Sequence, residues 1–203
     1  MLVSDKKYET NHLYFDRSSF KTANIKLEED ILTLVKPSKC LKDDVMDYRR
    51  EHLDFGESSI YGCAGLIYYT NFEEWLCETN SIVSKKLTRE GVNATTLFTI
   101  RKSDHKLVGS IQLRHSLTNE LIQYGGQIGY GIRPNERGKG YATKQLALML
   151  SYARAKKINK VMIMCEKNNI ASANTILHNG GVLEQECYYS YTGQMIQKYW
   201  IYL

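Results

Sequence analysis

The chain has 203 residues and a mass of 23.4 kDa, which is the size of one domain with at most a short appendage. Hydrophobic residues make up 43% and charged residues 24%, a balance typical of globular proteins that excludes a largely disordered chain. The net charge of +5 is weaker than the clustered charge of a dedicated DNA-binding protein, and it would suit a small anionic ligand equally well.

The N-terminal part of the chain is predicted to contain one strand and two helices. We interpret residues 1–24, which are polar with scattered aromatic side chains, as an appendage to a single domain at residues 25–203. An apolar, β-branched run predicts a strand at 31–35, which Pro37 ends. Two helices follow at residues 38–53 and 72–86, with a loop at 54–70 between them. The apolar stripe of the first helix contains Leu41, Val45, Tyr48 and His52.

The rest of the chain alternates strands with two further helices. The predicted strands are 95–101, 106–115, 126–133, 161–165, 182–190 and 195–202, and the predicted helices are 141–157 and 169–179. The run at 161–165 is continuously apolar, which suits a central strand buried on both faces. The order β-α-α-β-β-β-α-β-α-β-β predicts the α+β class around a mixed sheet.

Cysteine spacing and the absence of long apolar runs in the sequence bear on the compartment. The five cysteines contain no C-x-x-C pair, and the histidines do not stand at ligand spacing near them, so we expect reduced thiols and no metal site. No apolar run reaches the ~20 residues that span a bilayer, and the N-terminus lacks a secretory h-region. We therefore expect a cytoplasmic protein without membrane contact.

The most informative segment is the turn between the strand at 126–133 and the helix at 141–157. Gly138 and Gly140 lack a Cβ atom, so backbone amides there can approach an anion closely. Arg137 and Lys139 add positive charge, and the following helix offers unpaired amides and the positive end of its dipole. This combination predicts a cradle for a phosphate or diphosphate group.

Two common phosphate-binding motifs do not fit this turn. A Walker loop would need glycine at position 133, which is Arg133, and serine or threonine at position 140, which is Gly140. A dinucleotide fingerprint starting at Gly138 would need glycine or alanine at position 143, which is Thr143. Spacing therefore excludes both.

The turn does resemble a known family signature. Arg137-x-x-Gly140-x-Ala142 resembles the Gln/Arg-x-x-Gly-x-Gly/Ala signature of the GCN5-related N-acetyltransferase (GNAT) superfamily. Asn169-x-x-Ser172, after the next predicted strand, resembles a second segment of that family. The similarity extends over about 27–203 and is greatest to a bacterial subgroup whose chains end in a Tyr-Trp-Ile run, here at 199–201.

The resemblance implies a fold, a cofactor and a reaction. The fold would be the acyl-CoA N-acyltransferase (GNAT) fold, with a mixed six- to seven-stranded sheet flanked by helices. Acetyl-CoA would be the donor, and the acetyl group would pass by direct attack in a ternary complex to a primary amine of a small molecule or protein. The implied cofactor contacts are Ile132, Arg133, Arg137, Gly138, Lys139, Gly140, Tyr141, Ala142, Thr143, Asn169 and Ser172.

The catalytic residues implied by the family are incomplete in this sequence. Well-known members carry a tyrosine acid seven residues after the asparagine, and that position is Ile176 here. Ser172, a water, or one of three tyrosines could replace it. The tyrosines are Tyr130, Tyr188 and Tyr189, and the candidates for the base are His115 and Glu166.

Several of these positions have a structural alternative. Asn169 could be a helix N-cap, Ser172 an ordinary first-turn residue and His115 a structural histidine. The missing tyrosine acid also keeps open a non-catalytic acyl-CoA-binding sensor or subunit on the same fold. We expect no nucleic-acid partner, and a homodimer stays open.

Overall fold

The structure is a computed structural model that describes residues 30–84, 91–190 and 193–203, so the predicted appendage at 1–24 lies outside the described residues. The strands are β1 (Leu32–Val35), β2 (Ala94–Arg101), β3 (Leu107–Arg114), β4 (Ile128–Ile132), β5 (Lys160–Glu166), β6 (Val182–Tyr189) and β7 (Gln194–Tyr202). The helices are α1 (Lys42–Asp54), α2 (Phe72–Ser81), α3 (Asn119–Tyr124), α4 (Tyr141–Ala155) and α5 (Ile170–His178).

The predicted helices and strands are confirmed, with small shifts at their ends. Asn71 caps α2 as its side chain accepts hydrogen bonds from the amides of Glu73 and Glu74, at 2.9 and 3.2 Å. The helix ends at Ser81, earlier than the predicted residue 86. Helix α3 has no counterpart in the prediction, because its 6 residues are too few to give a helical period.

The α+β class and the seven strands are confirmed, with the strands divided between two sheets. One sheet has the order β1-β2-β3-β4 and the other β5-β7-β6, and each paired neighbour is antiparallel. The sheets meet just before β4, where the amide of Gln127 donates to the carbonyl of Met162 at 2.7 Å. The side-chain oxygen of Gln127 accepts from the amide of Met162 at 3.3 Å.

Two large apolar clusters pack the helices against the sheets. Helix α4 buries its predicted stripe, including Leu146 and Met149, against both sheets and α5. Helices α1 and α2 cover the four-stranded sheet through a second cluster centred on Tyr48, Trp75 and Phe98. Burial of each such large apolar side chain stabilises the fold by roughly 1.5–3 kcal/mol. Within the described residues, no helix has the length and apolar character needed to span a membrane.

The loop between α1 and α2 lies directly against β4. Gly62 has a φ of +73°, and a Cβ atom added there would lie 2.8 Å from the Cα atom of Tyr130. On the same face of β4, a Cβ added to Gly131 would lie 3.1 Å from the carbonyl oxygen of Tyr61. Glycine at these positions therefore lets the backbone of the loop pack directly against the backbone of β4.

Candidate active site

A cleft of about 870 Å³ opens between β4 and the start of α5. Its walls come from β4 at 130–132, the turn and first residues of α4 at 136–143, the loop at 56–61, and residues 169–175. A hydrogen bond between Gln127 and Met162 joins the start of β4 to β5, and the cleft lies where β4 and the segment after β5 separate. All of the predicted cofactor contacts line it except Arg133 and Lys139.

The glycine-rich turn presents open backbone to the cleft. Gly138 and Gly140 have φ angles of +78° and +76°, a conformation that other residues rarely adopt. A Cβ atom at either position would meet nothing within 4 Å, so a ligand can approach the chain there. Gly140 is the N-cap of α4, and the first amides of that helix have no partner within it. The turn therefore has the shape predicted for an anion cradle.

The basic side chains of the turn are not free, contrary to the expected cluster of available positive charge. Arg133 is 4% exposed and pairs with Asp47 and Glu51 of α1, at 2.8 and 3.2 Å. Its side chain therefore lies away from the cleft. Arg137 pairs with Glu57 at 2.7 Å, and Lys139 turns back to a carboxylate of the turn itself. Each of the three cations is therefore paired with a carboxylate.

Glu136 fixes the conformation of the turn through ion pairs with three cations. It is buried and accepts hydrogen bonds or ion pairs from Arg101, Lys106 and Lys139, at 2.7, 2.8 and 2.7 Å. Burial opposes ionisation of this carboxyl, but the three cations outweigh it and lower the pKa of Glu136 to about 2. Arg101 also donates to the Tyr141 hydroxyl at 2.9 Å. The carboxylate thus fixes the loop that carries the open amides.

The cleft is also lined by a tyrosine–serine pair. The Tyr130 hydroxyl lies 2.9 Å from the Ser172 Oγ atom, and burial raises the pKa of Tyr130 to about 12. Asn169 caps α5, since its Oδ1 atom accepts from the amide of Ser172 at 3.0 Å. Ile176, where the family signature has tyrosine, is completely buried in the apolar cluster under α4. Its side chain is part of the core.

The remaining catalytic candidates lie elsewhere in the described part of the chain and do not line the cleft. His115 is bonded through Nε2 to the Thr95 hydroxyl at 2.8 Å. Glu166 lies beside the side-chain amide of Gln194, which donates to it at 2.6 Å when the amide is oriented with its nitrogen toward the carboxylate. Tyr188 is 66% exposed, and Tyr189 stacks on the ring of Tyr124 at 4.7 Å between centroids. The structure therefore brings together Tyr130 and Ser172, and separates both from these four.

Comparison with known families decides the identity of the fold. Residues 51–182, more than half of the chain, match the family described as "Acetyltransferase (GNAT) domain". The chain belongs to the GNAT acetyltransferase family. The match runs from the last turn of α1 to the start of β6 and so contains every wall of the cleft.

Solved structures of other acetyltransferases share this GNAT fold. The microcin C7 self-immunity acetyltransferase MccE, in complex with acetyl-CoA and AMP, has a TM-score of 0.63 at 18% identity, covering 88% of this chain and 96% of that chain. The ribosomal L7/L12 α-N-protein acetyltransferase RimL, in complex with coenzyme A, has a TM-score of 0.62 at 18% identity, covering 85% and 94%. The ribosomal-protein-S5-alanine acetyltransferase from Vibrio fischeri has a TM-score of 0.62 at 16% identity, covering 88% and 95%. No curated protein matches the chain in sequence.

Among the cleft residues of this GNAT domain that were not predicted as site residues, His52 and Glu57 form an interacting pair. His52 is 1% exposed and its Nδ1 atom lies 2.5 Å from the Glu57 carboxylate, which also holds Arg137. The sequence placed His52 on the apolar stripe of α1, and a histidine on such a stripe is the one signal that could have marked it. Glu57 stands in a loop without a motif, so its partners depend on how the loop folds back.

Proposed function

We propose that the protein is an acetyl-CoA-dependent N-acetyltransferase that transfers an acetyl group to a primary amine by direct attack in a ternary complex. The observation that supports it best is that one cleft is lined both by open helix-start amides and by the Tyr130–Ser172 pair. Two structures of similar fold hold acetyl-CoA or coenzyme A. Bound acetyl-CoA would supply an activated thioester.

The turn and α5 are suited to binding that cofactor. The amides from Gly138 to Thr143 would hold its diphosphate at the positive end of α4, with Arg137 beside them. On the other wall, Asn169 uses Oδ1 to cap α5, which leaves its Nδ2 group to donate to the pantetheine arm. The open surface at both glycines fits a ligand that approaches the backbone closely.

The tyrosine–serine pair is suited to stabilising the leaving sulfur. With a pKa of about 12, the Tyr130 hydroxyl keeps its proton at neutral pH. It can donate a hydrogen bond through Ser172, 2.9 Å away, to the developing thiolate. The thiolate, whose thiol has a pKa near the cysteine reference of ~8.5, takes up the proton that the attacking amine loses. In this proposal Tyr130 and Ser172 take the role of the tyrosine that the family signature has at the position of Ile176. His115 and Glu166 remain sequence predictions for the base.

A non-catalytic acyl-CoA sensor is the second candidate, and Ile176 in the core is the observation that favours it. Release of free thiol from acetyl-CoA with a panel of primary amines separates the two functions. The enzyme predicts amine-dependent release, whereas binding of acetyl-CoA with no turnover on any amine would support the sensor. Failure of the full chain to bind either acetyl-CoA or coenzyme A at millimolar concentration would contradict both.

Substitution of Arg137 tests where the diphosphate binds. Arg137→Ala should raise the Kd for coenzyme A about 10-fold by removing a charge-assisted contact, and leave the thermal unfolding midpoint nearly unchanged because the side chain is 42% exposed. Isothermal titration calorimetry gives the Kd. Arg50→Ala, at an exposed position of α1, is the matched control and should change the Kd less than 2-fold. Equal Kd values for wild type and Arg137→Ala would contradict this placement.

A further inference from the structure

A chain of three charged or titratable groups links the cleft to α1, and the proposed transfer reaction does not use it. Glu57 accepts from the Arg137 Nη1 atom at 2.7 Å through Oε1, and its Oε2 atom lies 2.5 Å from His52 Nδ1. The Glu57 amide also donates to the carbonyl of His52 at 3.1 Å. One carboxylate therefore fastens the loop after α1 to the anion cradle.

Two further contacts orient Arg137 toward this carboxylate. Its Nε atom donates to the Ile132 carbonyl at 3.0 Å, and its Cζ atom lies 5.6 Å from the ring centroid of Phe55. A diphosphate bound at the neighbouring amides would place a second anion beside the same guanidinium. Because the site is partly buried, repulsion between the two anions is weakly screened.

His52 can become protonated and pair with Glu57 when Arg137 binds a phosphate instead. The imidazole is buried edge-on against the Tyr48 ring, with centroids 4.5 Å apart, and its Nε2 atom has no hydrogen-bond partner among the described residues. Burial lowers the pKa of His52, and Arg137 lowers it further, while Glu57 and Glu51 raise it. If Arg137 turns to a phosphate, the carboxylate beside the ring loses its other cation, and the pKa of His52 rises.

We propose that Glu57 competes with the cofactor diphosphate for Arg137 and, once displaced, pairs with a protonated His52. The inference rests on the proposed function, since it needs a diphosphate-bearing ligand at Arg137. It has three consequences. Glu57 limits the affinity for the cofactor, and binding takes up a proton. The loop at 56–61, which forms one wall of the cleft, is also freed from the cradle when the cofactor binds, so the acceptor would meet a changed wall.

Calorimetric titration of the full chain with coenzyme A tests the competition. Glu57→Gln keeps the shape of the side chain and removes its charge, so the Kd should fall by about 3–10-fold. Asp54→Asn removes an exposed carboxylate at the end of α1 and is the matched control, with an expected change below 2-fold. A Kd for Glu57→Gln that is unchanged or higher than that of the wild type would overturn the proposal. Glu57 would then not compete with the cofactor for Arg137.

The double variant tests whether Glu57 acts through Arg137. In the Arg137→Ala background, Glu57→Gln should leave the Kd unchanged, and a continued gain in affinity would mean a general field effect and overturn the proposal.

Proton uptake is measured on the wild type and on His52→Gln, because the phosphate monoester of coenzyme A also titrates in this range. Titration at about pH 6.5 in two buffers of different ionisation enthalpy should show more proton uptake by the wild type, and equal uptake by the two proteins would overturn the link to His52. A wild type that does not bind coenzyme A would contradict the proposed function itself, whereas binding without these effects would contradict this inference alone.

Discussion

At the scale of single residues, the replacement for the family's tyrosine acid depends on one contact across the cleft. The alternation of β4 puts Tyr130 and Ile132 on one face and Gly129 and Gly131 on the other, and the sequence could predict that much. It could not choose among three tyrosines, because the distance from Tyr130 to Ser172 depends on how β4 and α5 pack. These two residues are 42 positions apart in the chain.

Removal of the Tyr130 hydroxyl tests its proposed role as a hydrogen-bond donor at the leaving sulfur. Tyr130→Phe should lower kcat for acetyl transfer by about 10–100-fold, less than a general acid gives with a more basic leaving group, and leave the Kd for coenzyme A within 2-fold. Steady-state thiol release and calorimetry measure the two quantities. Tyr152→Phe, on α4 outside the cleft, is the matched control. A Kd that rises as much as kcat falls would make Tyr130 a binding group instead.

The charges of the turn show where residue-level prediction fails. The sequence places Arg133, Arg137 and Lys139 within seven positions and so predicts a concentration of positive charge. Two of the three are paired by carboxylates from α1 or the loop after it, and Asp47 is 86 positions from Arg133. Local sequence contains the cations but not their distant partners, and so it overstated the free charge at the cradle.

At the scale of elements, the strong periodic patterns were enough to predict the fold. The apolar stripe of α4 and the continuous apolar run of β5 both lie in the core as predicted. The division into two sheets could not be predicted, because it depends on β4 and β5 diverging after the Gln127–Met162 contact. No residue type marks that divergence, which creates the cleft.

The contact of the loop with β4 leaves no room for a side chain at position 62, which substitution of Gly62 tests. Gly62→Ala and Gly56→Ala both place a side chain at positive φ, +73° and +80°, and each should cost about 1–2 kcal/mol. A Cβ atom at Gly56 meets nothing within 4 Å, whereas one at Gly62 would contact the β4 backbone. Gly62→Ala should therefore lower the free energy of unfolding by a further 1–3 kcal/mol or so, measured by urea denaturation. Equal losses in the two variants would mean that the loop does not press on β4.

At the scale of the whole molecule, the cleft lies between elements of two different sheets. The four-stranded sheet supplies β4, and α5 follows directly from β5 of the three-stranded sheet. Helix α4 packs against both, and its first turn forms the anion cradle. A ligand that fills the cleft would therefore contact both halves of the fold, which would couple their stability.

Coenzyme A should stabilise the whole chain as a unit. At 100 times its Kd it contributes about 2.7 kcal/mol, which raises Tm by roughly 5–11 °C for a domain of about 200 residues. Pantetheine, which lacks the diphosphate, should give a smaller rise at the same concentration. Hydrogen exchange should slow in the strands of both sheets, β2 and β3 as well as β5 and β7, because opening either half would release the ligand. Protection confined to one sheet would show that the ligand contacts a single wall, and that the two halves open independently.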